Sequence, residues 1–181
     1  MITIITPCSR PENLDALSKS IMQLNYPFTW IICYDLRVVK EFNPVYGATY
    51  QIGIEGGVYG NLQRNKAIDY IVNPYEWIYC LDDDNTMHPD FAYLFKQYSL
   101  RNPDLDIVTF DQQLSDSVRL GSDIREGFID QAQFMVRKRI IEPYEQTYSA
   151  DGILIEKLYK KYPERTLYYN EVLSYYNRLT W

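Results

Sequence analysis

The run WIYCLDDDNTMHPDF, Trp77 to Phe91, sets three carboxylates, Asp82, Asp83 and Asp84, directly after an apolar stretch. Like charges this close repel one another, so a fold gathers them only with a compensating positive group. A hard divalent cation is one answer. Mg²⁺ and Mn²⁺ take oxygen ligands, and Mg²⁺ commonly uses one or two protein carboxylates plus substrate phosphates. The chemistry would then be the handling of a diphosphate. A solvated acidic turn is the competing explanation of the charge alone. An EF-hand loop does not fit, because its sixth position, here Met87, has to be glycine.

The carboxylates need elements to hold them. Ile2 to Thr6 and WIICY (Trp30 to Tyr34) are short β-branched apolar runs that read as buried strands. Trp77 to Leu81 reads as a third, Asp106 to Phe110 as a fourth and Gln133 to Arg137 as a fifth. Between them Leu14, Leu17, Ile21 and Leu24 recur at helical spacing, with Ser9 to Glu12 as a capping-box start. A second helix begins with Asn61 as N-cap, a third opens at Pro89, and Ala150-Asp151-Gly152 leads into a fourth. Residues 36 to 60, with several glycines, read as irregular with at most a short strand. Alternating strands and helices predict an α/β domain with a mainly parallel sheet. Ligands of such sheets bind beyond the carboxyl ends of the strands. Thr6 to Arg10, Asp35 and Asp82 to Asp84 all fall at such ends. Asn61, Arg64 and Asn65 fall in the first turn of the second helix, whose positive end favours anions. There Arg64 is expected to contact phosphate.

The chain has 181 residues and no linker-like stretch, which suits a single domain over 1–181. A net charge of −6 argues against nucleic acid as a partner. No apolar run approaches the roughly 20 residues of a membrane span, and MITIITPCSR lacks the basic start of a signal peptide. Cys8, Cys33 and Cys80 are odd in number and far apart, which favours reduced buried thiols in a cytoplasmic setting. The 18 tyrosines, dense in TLYYNEVLSYYNRLTW, read first as core and half-buried packing, with sugar stacking as the sharper alternative.

The order of segments resembles the GT-A fold of glycosyltransferases, in particular the family 2-like group. ITIITPCSRPENL looks like that group's opening nucleotide-holding strand and loop, and GNLQRNKAIDYI like its helix bearing an Arg-Asn pair. WIYCLDDDN looks like its DxD strand, and QFMVRK like its later strand beneath the acceptor. SADGILIEKL lies where members carry an acidic residue at a helix start, and only Asp151 carries over, because Ala150 precedes it. The resemblance implies a GT-A (nucleotide-diphospho-sugar transferase) fold, Rossmann-like, with the sheet flanked by helices. It implies metal-dependent glycosyl transfer, with inversion expected, from a UDP- or GDP-linked sugar to a glycan or other hydroxyl acceptor. Thr6, Pro7, Arg10 and Asp35 would shape the nucleoside pocket. Asp83 would face the ribose, and Mn²⁺ or Mg²⁺ would sit on Asp84 with Asp82 in support. Asp151 would be the base, or else an N-cap. The long C-terminal extensions of many relatives are missing, so acceptor contacts are expected to be few or supplied by an oligomer or another domain.

Three rivals compete with this reading. DDDNT also matches the Asp-x-Asp-x-Thr of haloacid-dehalogenase-type phosphatases, but that motif comes after the first strand of its fold and this one after the third. A sugar nucleotidyltransferase would carry a Gly-rich opening loop, and TPCSRPEN has no glycine. A non-catalytic nucleotide- or carbohydrate-binding module is the third.

Overall fold

The computed structural model describes residues 1–98 and 101–179. Its strands are β1 (Ile2–Cys8), β2 (Phe28–Asp35), β3 (Tyr50–Ile54), β4 (Trp77–Cys80) and β5 (Thr86–Met87). They continue with β6 (Ile107–Gln113), β7 (Val118–Arg119), β8 (Phe134–Arg137) and β9 (Thr166–Tyr175). The helices are α1 (Leu14–Met22), α2 (Asn61–Ile68), α3 (Phe91–Tyr98) and α4 (Ala150–Lys161).

Period-two alternation sorts the apolar strand residues onto two faces. Ile2, Ile4, Trp30, Ile32, Trp77 and Tyr79 face one layer, which Leu17 and Ile21 of α1 and Phe91 and Phe95 of α3 complete. Ile5, Ile31, Cys33, Ile78 and Cys80 face the other, against Ala67 and Ile68 of α2 and Leu154, Ile155 and Leu158 of α4. Each such fully buried aliphatic side chain stabilises by roughly 1.5–3 kcal/mol. The three cysteines are free and buried. Among the described residues no helix is long and apolar enough to cross a membrane.

The strand order is β3-β2-β1-β4-β8-β6-β9-β5, with β7 on β6. β3, β2, β1 and β4 run parallel, whereas β8 is antiparallel to both β4 and β6. The α/β expectation therefore holds, but the sheet is mixed rather than mainly parallel. Because β2, β1 and β4 are adjacent and parallel, their carboxyl ends share one rim. That rim carries Ser9 and Arg10, Asp35, and Asp82 to Asp84.

Two predicted caps shift. Ser9 does not cap a helix; its N–H and hydroxyl both donate to Asp83. Gly60, not Asn61, is the N-cap of α2, in the left-handed region at φ 78°. A Cβ at Gly60 would lie 2.7 Å from the Pro7 ring, so only glycine lets α2 start this close to the end of β1. β9 was not expected from the sequence. It takes up most of the tyrosine-rich tail, whose Thr180 and Trp181 lie outside the described residues.

Candidate functional site

Beyond the shared rim lies a cavity of about 420 Å³. Nine of the expected site residues line it: Pro7, Arg10, Asp35, Asn61, Arg64, Asp82, Asp83, Asp84 and Asp151. Thr6 and Asn65 do not. Thr6 is fully buried, with its hydroxyl oxygen accepting the indole N–H of Trp30 at 3.0 Å. One strand residue further along, the chain reaches the cavity; Thr6 points into the core beneath it. Asn65 makes a two-way clamp with the backbone of Tyr144, at 2.9 and 2.7 Å. It ties α2 to the segment that precedes α4.

The three aspartates have three different jobs. Asp83 is buried, and both oxygens are engaged. Oδ2 accepts the backbone N–H groups of Ser9 and Arg10, at 2.6 and 2.8 Å, and Oδ1 accepts Nε of Arg10 at 2.8 Å. A carboxylate so occupied braces the opening loop while still lining the cavity. Asp84 meets the same arginine, Nη2 to Oδ2 at 2.7 Å. Asp82 accepts from Nη2 of Arg64 through Oδ1. The charge that the carboxylates face in the protein itself is thus a pair of guanidinium groups.

Arg64 is buried, and its Nη1 is used as well, while Nε has no hydrogen-bond partner among the described residues. Nη1 donates to the carbonyl of Tyr59 and to Oδ1 of Asn61, each at 2.9 Å. It therefore positions Asp82 and the start of α2 rather than presenting an open fork to phosphate. Arg10, more exposed, is the better placed of the two to meet an incoming anion.

Desolvation pushes the Asp82 carboxyl up to about 7; Arg64 opposes this, and the charges of Asp130 and Asp84 reinforce it. Burial also raises Asp84, against Arg10. Asp151 is raised by burial and then by the charge of Asp130. Ser149 precedes α4 as N-cap, and Asp151 sits in the helix's first turn, where its carboxylate accepts the adjacent Gly152 N–H at 2.8 Å and its own backbone N–H. Asp151 is thus not the N-cap residue itself, although it satisfies free N–H groups of the first turn, and it lines the cavity. At the end of β2, Asp35 is held in a fork by Arg37, which lowers its carboxyl. Burial lifts the thiols of Cys8, Cys33 and Cys80 to about 12, so none is a nucleophile at neutral pH.

Among the lining residues that sequence reasoning passed over are Arg37, Arg119, Asp130 and Tyr176. Asp130 had a legible signal, because Asp130 and Gln133 form a reciprocal capping box. Arg119 lies 3.4 Å from Asp130 and 4.8 Å from the centre of the Tyr176 ring, contacts between distant segments.

Among the described residues no group of three or more His, Cys, Asp or Glu side chains could hold a metal by itself. The donor set still fits Mg²⁺ or Mn²⁺. Asp82 and Asp84 are hard oxygen donors on one cavity wall, and ion pairs engage only Oδ1 of the first and Oδ2 of the second. A ligand's phosphates would have to complete the shell.

No protein-family model and no curated protein matches this chain. Solved structures do. A mycobacterial protein superposes with a TM-score of 0.65 at 13% identity, over 96% of this chain and 66% of its own. A CMP:2-keto-3-deoxy-manno-octonic acid synthetase complexed with CTP does so at 0.54 and 11%, over 96% and 91%. The 4-diphosphocytidyl-2C-methyl-D-erythritol synthase of Anaerococcus prevotii gives 0.53 and 11%, over 98% and 88%. This chain thus spans just under two thirds of the mycobacterial protein. At these identities the likeness carries the fold and not membership of the family 2-like glycosyltransferases. The chain has the nucleotide-diphospho-sugar transferase fold, of GT-A type.

Proposed function

We propose that this protein is a metal-dependent glycosyltransferase that uses a nucleoside diphosphate sugar. One observation carries the reading: Asp84, beyond the end of β4, and Asp151, in the first turn of α4, line the same cavity. In this reading the first would serve a diphosphate, and the second, a carboxyl raised by burial, would act as the base.

Asp84, supported by Asp82, would hold Mn²⁺ or Mg²⁺, which supplies Lewis-acid stabilisation to the leaving diphosphate. Arg10 adds a positive charge beside Asp84. Asp35, Arg37 and Pro7 shape the nucleoside end. Asp151 takes the proton of the acceptor hydroxyl as its oxygen attacks the anomeric carbon. The bond from that carbon to the diphosphate oxygen breaks, and the nucleoside diphosphate leaves with the electron pair. Attack from the opposite face inverts the anomeric centre.

Nucleotidyl transfer is the second reading, and the named neighbours favour it: one is a CMP-sugar synthetase with CTP bound. In that reaction a sugar's oxygen attacks the α-phosphorus of a nucleoside triphosphate and pyrophosphate leaves. Against it stands the opening loop, TPCSRPEN, which has neither glycine nor lysine.

The deciding experiment supplies UDP- and GDP-sugars in one arm and nucleoside triphosphates with sugars or sugar 1-phosphates in the other, each with Mn²⁺. Nucleoside diphosphate release in the first arm supports glycosyl transfer. Pyrophosphate release in the second arm, with none in the first, overturns it.

A further inference from the structure

Two tyrosine rings stand at the lip of the cavity. Tyr59 precedes the N-cap of α2, Tyr148 precedes that of α4, and they are 66% and 77% exposed. Their centroids are 4.9 Å apart and their planes meet at 79°, so the rings form an open corner. Single exposed aromatics are ordinary. This pair is set apart by how it is held.

Tyr59 has φ 49°, in the left-handed region that bulky residues rarely adopt. Strain of this kind persists only where the surroundings impose it, and it gathers at functional sites. The surroundings are the site itself. Arg64, which carries Asp82, also donates to the Tyr59 carbonyl at 2.9 Å. Asn61 accepts from Arg64 and donates to the carbonyl of Thr147, next to Tyr148, at 2.8 Å. The Val58 N–H reaches Oε1 of Gln146 at 3.1 Å, which closes the link between the two loops. One buried guanidinium thus fixes both the ring corner and the carboxylate beneath it.

We propose that Tyr59 and Tyr148 form the acceptor subsite, taking a pyranose ring of a glycan. The inference rests on the glycosyl-transfer reading above. A pyranose presents apolar C–H faces and a polar rim, which suits two amphipathic rings at an angle. Tyr148 adjoins Ser149, the N-cap of the helix whose first turn carries Asp151, and both Tyr148 and Asp151 line the cavity. Tyr59 adjoins Gly60, which packs on Pro7, so the corner lies between Asp151 and the proposed nucleoside end at Asp35.

The test is saturation-transfer NMR with cellobiose, maltose and lactose, run with and without UDP and Mn²⁺. At least one disaccharide should bind through its C–H protons and stay bound when UDP is added. Its affinity should fall at least tenfold in Tyr148→Ala and in Tyr59→Gly, and hold in Tyr148→Phe. Glycine at position 59 relieves the left-handed strain, so that variant removes the ring without burdening the fold. No binding by any disaccharide, equal binding after ring removal, or displacement by UDP overturns the subsite. Metal-dependent hydrolysis of UDP-glucose and GDP-mannose by the same wild-type sample is recorded in parallel. Hydrolysis without saccharide binding sinks the subsite alone, and pyrophosphate chemistry in its place sinks the glycosyl-transfer reading.

Discussion

Arg64 and Asp82 form an ion pair at the cavity wall, with the guanidinium buried and the carboxylate opening to the cavity. The pair joins α2 to the end of β4 through residues 18 positions apart in sequence. Arg64 also serves Tyr59 and Asn61, so it acts as the keystone of the loop between β3 and α2. Removing one member of such a buried pair leaves the other without compensation. Arg64→Ala should therefore lower stability by about 3 kcal/mol in chemical denaturation. Arg64→Lys keeps the charge but cannot reach three acceptors in a planar fork, and should restore only part of the loss.

Asp83 gives a second prediction. Its Oδ2 satisfies the N–H groups of both Ser9 and Arg10. Asp83→Ala orphans these donors and unties Arg10, so it should destabilise by about 2–4 kcal/mol. A residue that merely touched a ribose would leave the melting temperature of the free protein where it was.

Gly60 gives a third. Its φ of 78° and the Pro7 ring 2.7 Å from a would-be Cβ both oppose a side chain. Gly60→Ala should lose about 1–2 kcal/mol through left-handed strain alone. It should also raise the donor KM more than it lowers kcat, since it displaces the start of α2 from the end of β1.

Asp151 makes stability and activity run in opposite directions with pH. Burial, then Asp130, holds its folded carboxyl above the unfolded value. Between those two values the folded state binds more protons, so stability from this group declines as pH rises through the folded pKa. The base must be deprotonated, so transfer rises over that same interval. Asp151→Asn should melt higher than wild type at pH 8, lack the limb in the pH profile, and transfer about 10²–10⁴-fold more slowly. Retention of near-normal transfer by this variant would remove Asp151 from the mechanism.

Much of this site was legible because the strand ends are legible. Ile2 to Thr6, Trp30 to Tyr34 and Trp77 to Leu81 are apolar enough to be recognised as buried strands, and each gives way to polar residues at its carboxyl end. Parallel order then brings Arg10, Asp35 and Asp84 together without further information. Long-range polar partners were not legible. Nothing in the sequence says that Asp83 receives Ser9 and Arg10 from 74 and 73 positions away, or that Asn65 is spent on Tyr144. Thr6 falls just short of the cavity, which begins at Pro7 and Cys8, and its hydroxyl is spent on Trp30. β9 escaped because Asn170-Glu171 interrupts its apolar pattern, and its pairing with β6 shifts register at Phe110 and Asp111. The antiparallel β8 cannot be told from a parallel strand by composition, since it too is buried on both faces.

The central claim is that Asp84 holds a divalent cation that carries a nucleoside diphosphate. It is tested most directly by calorimetric titration of UDP and GDP into wild type and Asp84→Ala, each with Mn²⁺ and again with EDTA. At least one nucleotide should bind wild type with Mn²⁺ at least tenfold more tightly than in EDTA, and Asp84→Ala should lose this metal-dependent gain. Binding that is equally tight in EDTA, or a full metal-dependent gain in Asp84→Ala, would contradict the claim.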